Sequence, residues 1–212
     1  KCKELRVCFL RETPNLSPLL IDGQALEVVR SHKVLGLVIQ NDLKWNEHID
    51  LVVSKASKRL YIIRVLRRGG VPTDDLLTIY FALIRPVLEY CCVVWHHSIP
   101  LYLAKEVERV QRRALKIILP EYSYKEALIQ LGCSRLDERR EQLCIDTLKK
   151  LQKGGPLLKY VPPTRANSNE YQLRNSNTLT LIKCRTERYR RSFFPSTVVS
   201  YNNASDKIMC DT

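Results

Sequence analysis

The sequence lacks a long hydrophobic run. The longest unbroken apolar stretch is about Tyr90 to Trp95, whereas a membrane-spanning helix needs about 20 mainly apolar residues. The start of the chain also lacks the charged-then-apolar leader that directs secretion. We therefore expect an intracellular protein with no membrane partner.

The cysteines lack the spacing of a disulfide-rich or zinc-binding domain. Eight cysteines are scattered along 212 residues, most of them in apolar segments. Free, buried thiols in a reducing compartment are the favoured interpretation. Cys91, Cys92, His96 and His97 contain metal-ligand atoms, but their spacing is not that of a zinc finger. Packing is the favoured role for these four side chains, and no metal site is predicted.

No catalytic constellation is evident. A polymerase-type carboxylate pair needs a tight hairpin turn so that both groups meet the same metals. Asp74 and Asp75 instead follow Pro72 and Thr73, a pattern typical of a helix start with Thr73 as the N-cap and the acids facing the helix dipole. His48 has no paired nucleophile and is interpreted as a helix-start side chain. The sequence predicts no catalytic residue in this chain.

Positive charge is present in excess. The net charge of +13 indicates a polyanionic partner. The excess is uneven, because residues 1–52 hold 7 basic and 7 acidic residues, whereas residues 53–120 hold 12 basic and 5 acidic residues. The positive field is therefore expected to begin after the opening segment.

The hydrophobic pattern predicts an α+β chain: a short antiparallel β segment, a mostly helical domain and an irregular C-terminal tail. Residues 1–40 alternate as strands do, with a tight turn at Asp22-Gly23 and a third strand over 34–39. Gly36 within this strand indicates either a bulge or a close approach by another backbone. Helical spacing follows in a series of segments: 46–68, 73–95 with a kink at Pro86, 103–119, 123–131 and 136–151.

Two groups of cations are candidate binding sites. On a helix over 103–119, one side carries the cations Lys105, Arg109, Arg112 and Lys116, and the opposite side is apolar. Phosphate contact and a solvated helix face are equally compatible with this pattern. Further along, Arg188, Arg190 and Arg191 lie next to Phe193, so guanidinium groups accompany a ring that could stack on bases. An unstructured basic tail has a similar composition.

An ordered set of motifs resembles the C-terminal part of a non-LTR retrotransposon reverse transcriptase. In the first 50 residues these are Lys1-Cys2-Lys3-Glu4, Ile21-Asp22-Gly23, Leu26-Glu27-Val28, Val34-Leu35-Gly36-Leu37 and Leu43-Lys44-Trp45-Asn46-Glu47-His48-Ile49. Later motifs are Leu83-Ile84-Arg85-Pro86, Glu108-Arg109-Val110-Gln111, Leu136-Asp137-Glu138-Arg139-Arg140 and Ser192-Phe193-Phe194-Pro195. The resemblance covers about residues 1 to 202.

The resemblance implies three regions: residues 1–45 as the end of the palm with its primer-grip hairpin, 46–153 as a helical thumb, and 154–212 as a linker and basic, aromatic tail. It places Leu35 and Gly36 near the primer end. The partners would be an RNA template and a DNA primer, bound through their backbones, and the upstream palm and fingers of the parent polyprotein. The resemblance also implies that the protein is nuclear. The metal-binding aspartates would lie before Lys1, so magnesium is expected only in the parent polymerase, and this chain alone should be inactive. The alternative hypothesis is a non-catalytic helical protein-interaction module with a basic, solvated surface.

Overall fold

The computed structural model describes residues 2–12, 14–168 and 178–210, so Lys1, Thr13 and two parts of the tail, 169–177 and 211–212, lie outside the described residues. Short strands come first and helices follow. The strands are β1 Lys3–Leu5, β2 Leu20–Ile21, β3 Gln24–Ala25, β4 Glu27–Val29, β5 Ser31–Val34 and β6 Leu37–Gln40. The helices are α1 Asn46–Arg68, α2 Thr73–Ile79, α3 Arg85–Glu89, α4 Cys92–Trp95, α5 Leu101–Ile118, α6 Tyr124–Gln130, α7 Leu136–Gln152, α8 Arg165–Ser168, α9 Glu187–Arg190 and α10 Phe193–Cys210. The predicted α+β class, mostly helical after a short β segment, is confirmed.

The β segment consists of three two-stranded pairs. Two are antiparallel, β2 with β3 and β5 with β6, and the third is a parallel pairing of β1 with β4. None of the described residues before His48 is buried. A sheet normally buries one apolar face against another layer, so this segment has no core of its own.

The expected strand over 34–39 is wrong in one respect. Leu35 and Gly36 form the turn between β5 and β6, with φ angles of 48° and 89°. The left-handed conformation suits the glycine and strains the leucine. Gly36 is therefore a turn residue, and the strand bulge, one of the two predicted alternatives, does not form.

The core of the helical domain lies mainly between α1 and α5. Apolar residues recur along α1 at helical spacing and are buried, including Ile49, Ala56 and Ile63. On α5 the buried positions include Val107, Val110 and Ala114. These helices begin and end within a few residues of the ranges that the periodicity predicts.

The segment Thr73–Ser98 packs into the same core. It is long and apolar enough to cross a membrane by length and composition alone, but the apolar side chains along it include fully buried residues such as Leu76, Leu88 and Trp95. Near Pro86, where a kink is predicted, the helix changes type, because a π-helical turn over Tyr80–Ile84 ends directly before α3, which has Pro86 in its first turn. The helical path then breaks at Tyr90 and Cys91, where Cys91 has φ 49°. The predicted cap at Thr73 is wrong, since Pro72 occupies the N-cap position and Thr73 is the first helical residue.

The C-terminal segment folds back onto the helical domain. Leu148 of α7, Leu179 and Val198 of α10 form a second buried cluster, and Thr164 forms an isolated antiparallel bridge with Leu179. The sequence did not predict α10. The cysteines among the described residues are free, as expected, but of these only Cys92 and Cys144 are buried.

Candidate nucleic-acid interface

The α5 helix presents the predicted cationic stripe to solvent. Lys105, Arg109, Arg112 and Lys116 are all exposed, whereas the opposite side of the helix is buried. Helical periodicity places charges three and four residues apart on one face, which is why this arrangement could be predicted. We call these four residues the α5 stripe.

Intramolecular contacts orient most of the α5 stripe. Arg109 pairs with Glu106, the Arg112 guanidinium lies 5.0 Å from the centroid of the Tyr124 ring, and the Lys116 ammonium donates to the Pro120 carbonyl across 2.5 Å. Lys105 has no ion pair with any described residue. Exposed contacts of this kind are weak, so the four cations remain available to an anionic partner.

Glu108 does not neutralise the α5 stripe, although it lies between two of its members in sequence. Its carboxylate points inward and accepts hydrogen bonds from the Tyr124 hydroxyl and, across 3.1 Å, from the Leu136 backbone N–H at the start of α7. Gln111 joins this network by donating to Tyr124 and accepting from Tyr80 across 2.6 Å. The carboxylate therefore connects α5 to α6 and α7, and the outer face of α5 loses one acidic neighbour.

A small cavity of about 240 Å³ lies beside the end of the α5 stripe. Arg112 and Lys116 line it from α5, and Tyr122, Ser123 and Tyr124 line it from the start of α6. The exposed lining is mostly apolar, and Arg112 and Lys116 already contact the Tyr124 ring and the Pro120 carbonyl, so this cavity is not by itself a phosphate site.

The outer side of α1 is a second basic surface that the site prediction missed. No acidic residue lies between Asp50 and Asp74, and the exposed cations along this helix are Lys55, Lys58, Arg64, Arg67 and Arg68. The signal was present in the sequence as a helix-length stretch with basic residues only. It was missed because these cations are spread around the helix and do not form one stripe.

The predicted residues Leu35 and Gly36 lie at the tip of the β5–β6 hairpin, where they contact the helical domain. The Leu35 side chain is 87% exposed, while its carbonyl accepts a hydrogen bond from the Tyr90 hydroxyl across 2.9 Å. The Tyr90 ring covers Gly36 so closely that a Cβ at this position would lie 3.0 Å from a ring carbon. The helix break at Tyr90 and Cys91 thus aims a side chain at the hairpin tip.

The C-terminal cations have separate environments. Arg190 and Arg191 both pair with Glu187, at 3.5 and 3.1 Å. Arg188 donates to the Asp42 carbonyl across 2.8 Å and lies over the Phe9 ring, 3.8 Å from its centroid. Phe193 is half-buried and packs against Phe194 and the second cluster, so its ring is engaged in intramolecular packing.

A groove of about 750 Å³ joins two regions that are distant in sequence. Gln40 and residues 42–46, between the end of β6 and the start of α1, form one part of its lining, and Glu187, Arg188, Arg191 and Ser192 form another. Tyr102 at the start of α5 completes it, and its hydroxyl lies 2.6 Å from the Asn46 side-chain nitrogen, which donates to it. The motif over Leu43–Ile49 and the basic C-terminal cluster, predicted as separate features, therefore meet.

His96, His97 and Glu141 have ligating atoms within 4.8 Å of one another. The Arg140 Nε, which can only donate, lies 3.3 Å from His96 Nδ1, so Nδ1 accepts and the neutral ring carries its hydrogen on Nε2, 3.0 Å from Glu141. Burial alone would raise the pKa of Glu141, but hydrogen bonds from His96 and Ser200 lower it. A cation here would have to displace the Nε2 hydrogen beside the buried Arg140 guanidinium. This trio is best described as a hydrogen-bonded network between α4, α7 and the segment before α5.

A scan against protein-family models, a search of curated proteins and a search of solved structures each found no match to this chain. A function for the chain therefore has to be inferred from its residues and their geometry.

Proposed function

We propose that this chain is the palm-end and thumb part of a non-LTR retrotransposon reverse transcriptase, and that it holds an RNA template paired to a DNA primer. The observation that carries the proposal is the α5 stripe, four exposed cations on a helix whose opposite face is buried in the core. The ordered motifs described above agree with this assignment.

Contact with the nucleic-acid backbone accounts for the chemistry of this surface. Lysine and arginine side chains bind phosphates without reading base sequence, as a polymerase that copies any template requires. The basic outer side of α1 adds further cations. An A-form-like hybrid has a wide, shallow minor groove, which favours recognition through the shape of the duplex and its sugar-phosphate backbone.

The β segment supports a larger parent protein. It has no buried residue among those described before His48, and its exposed apolar side chains include Leu10, Leu19, Leu20 and Val28. An apolar surface of this kind marks an interaction site. In the proposed parent it would pack against the upstream palm and fingers, which would also supply the magnesium-binding aspartates. We expect this chain alone not to synthesise DNA. The resemblance to a retrotransposon reverse transcriptase also implies that the protein acts in the nucleus.

A salt series on an RNA·DNA hybrid tests the proposal. Lys105→Gln, Arg109→Gln, Arg112→Gln and Lys116→Gln are combined in one variant, because glutamine retains helix propensity. A control variant changes the exposed lysines Lys125, Lys149, Lys150 and Lys153 to glutamine, which removes the same formal charge elsewhere. Circular dichroism verifies the fold of both variants.

The expected result is a change in the salt dependence. Four phosphate contacts contribute about −3.6 to the slope of log affinity against log salt, at about 0.9 per contact. The stripe variant should lose a slope of about that size and bind more weakly, while the control variant should keep most of the slope. Equal slopes for the wild type and the stripe variant would assign the stripe to solvent and reject the proposal.

A second candidate function, a helical protein-interaction module, is favoured by one observation. Between the cations of α1, the apolar side chains of Leu51, Tyr61, Ile62 and Val65 are 44%, 66%, 39% and 43% exposed. At 100° per residue they lie within about 100° of one another. If this candidate is correct, the chain should not bind the hybrid, or should bind it with an affinity that does not depend on salt. Replacing Tyr61 and Ile62 by serine should then leave the affinity for the hybrid unchanged.

A further inference from the structure

We infer that the groove between β6, α5 and α9 binds an unpaired nucleotide, with the base against Trp45 and Tyr102 and the phosphate on Arg188. The inference deepens the proposed function and rests on it, because the nucleotide would be a single-stranded extension of the bound hybrid. The groove is distinct from the α5 stripe, and no residue of the stripe lines it.

The charges in the groove leave one cation without a carboxylate. Asp42 accepts from the Lys44 backbone N–H across 3.0 Å and lies 3.4 Å from the Lys44 ammonium. Glu187 is shared between Arg190 and Arg191. Arg188, by contrast, has no carboxylate partner among the described residues, because its contacts are the Asp42 carbonyl and the Phe9 ring.

Arg188 is nevertheless held in place. One of its terminal nitrogens donates to the Asp42 carbonyl, and the guanidinium plane lies over Phe9. A guanidinium has five N–H donors in a fixed fork, so donors remain for a phosphate once its orientation is set. An oriented, uncompensated arginine is therefore suited to a phosphate group.

Aromatic side chains accompany this cation. Trp45 is half-buried against the core, Tyr102 is 56% exposed, and both line the groove. Aromatic rings beside a cationic groove are the usual elements of single-strand binding, in which bases stack on the rings. Leu43, also in the lining, has φ 51°, and strained backbone of this kind clusters at ligand sites.

The size of the groove favours one nucleotide over a duplex. Its volume of about 750 Å³ lies in the range of about 300–1,000 Å³ that is usual for small-ligand sites. A double helix is too wide to enter, so a duplex on the basic surface could place only its unpaired end here. Gln40, Asn46 and Ser98 each already make one hydrogen bond within the protein. The Gln40 amide N–H groups, the Asn46 Oδ1 and the lone pairs of the Ser98 hydroxyl remain for the sugar or base.

Binding of matched hybrids tests this inference. One hybrid is blunt, and the others carry a short single-stranded extension of the RNA or the DNA strand. The wild type should bind an extended hybrid about tenfold more tightly than the blunt one, which is within the effect of one stacked base. The RNA and DNA arms identify which strand supplies the nucleotide.

Arg188→Gln should abolish the gain from the extension, measured as the ratio of extended-hybrid to blunt-hybrid affinity within the same variant. Arg185→Gln is the matched control, since Arg185 is exposed and lies outside the groove lining. Tryptophan fluorescence gives a second readout, because Trp95 is fully buried and Trp45 lines the groove. The extension should quench the emission of the wild type, and Trp45→Phe should remove that quenching.

Equal affinity of the wild type for blunt and extended hybrids, or equal effects of Arg188→Gln and Arg185→Gln, would overturn the inference. Failure of the proposed function is a separate result. In that case the wild type would not bind the blunt hybrid, but a free single strand would still quench the fluorescence of Trp45, and Arg188→Gln would remove this quenching. The assignment of the groove would then stand.

Discussion

The Tyr90 hydroxyl donates a hydrogen bond to the Leu35 carbonyl across 2.9 Å, 55 residues away in sequence. This contact ties the tip of the β5–β6 hairpin to the helical domain. Its geometry depends on the helix break at Tyr90 and Cys91, which lets the tyrosine ring leave the helical path. Elsewhere in the hairpin, β6 is half-buried, with Leu37 packed against the core and the Val38 N–H donating to His48 across 3.4 Å, so the Tyr90 hydrogen bond is one of several contacts that position it.

We expect Tyr90→Phe to loosen the hairpin. Loss of one partly exposed hydrogen bond should raise amide exchange in Ser31–Val34 and Leu37–Gln40 by roughly threefold. Exchange in α5 should not change, because its core does not include this contact. Tyr61→Phe is the control, since the Tyr61 hydroxyl has no hydrogen bond to a described residue. Equal exchange in Tyr90→Phe and wild type would show that the hydroxyl does not hold the tip.

A comparison of two glycines isolates the packing of the Tyr90 ring. Gly23→Ala and Gly36→Ala both place an alanine at positive φ, 76° and 89°, which costs about 1–2 kcal/mol. Only at Gly36 would the new Cβ meet Tyr90, at 3.0 Å. We expect Gly36→Ala to reduce the stability of its hairpin more than Gly23→Ala does, as measured by amide exchange of each hairpin. Similar losses at both sites would mean that the Tyr90 ring moves aside without cost.

The sequence predicted features that depend on local periodicity. The bounds of α1, α5 and α7, and the opposed faces of α5, follow from apolar side chains at helical spacing. The turn at Leu35-Gly36 was missed because a leucine at positive φ is uncommon and the surrounding residues are continuously apolar. The groove could not be predicted, because Asp42 and Arg188 are separated by 146 residues and their contact depends on tertiary packing. The inward rotation of Glu108 has the same cause.

The Glu108 network should contribute strongly to the stability of the helical domain. Tyr124 and the Leu136 N–H donate to different oxygens of the Glu108 carboxylate. Glu108→Gln replaces one of these oxygens by an NH2 group, so one of the two donors loses its acceptor. The expected cost is about 1–3 kcal/mol in the free energy of unfolding, measured by urea denaturation. Glu106→Gln, two residues earlier, removes only a surface pair with Arg109 and should cost at most about 1 kcal/mol. Equal costs would mean that Glu108 is not a structural acceptor.

One buried histidine, His48, and one half-buried histidine, His97, predict that the free energy of unfolding decreases in mild acid. Burial lowers the pKa of His48, and burial also lowers the pKa of His97, where Glu141 opposes and His96 adds to the effect. The unfolded chain, with a pKa of about 6.5, then binds more protons than the folded chain, so protonation favours unfolding. The stability associated with these residues is complete above about pH 6.5 and is lost as the pH falls through that value toward the lowered folded-state pKa. Urea denaturation over a pH series measures this dependence.

Histidine variants show which residues cause the dependence of stability on pH. His48 accepts from the Val38 N–H at 3.4 Å, and its other ring nitrogen is buried with no hydrogen-bond partner among the described residues. His48→Gln and His97→Gln should each flatten the dependence of stability on pH between about 6.5 and 5, even if each lowers stability at neutral pH. His32→Gln is the control, because His32 is exposed on β5.

Glu141, whose pKa is lowered, contributes stability that is lost only at lower pH, below about 4.3, so its effect is separable from that of the histidines. A slope that persists in the double variant of His48 and His97 would assign the acid sensitivity to other groups.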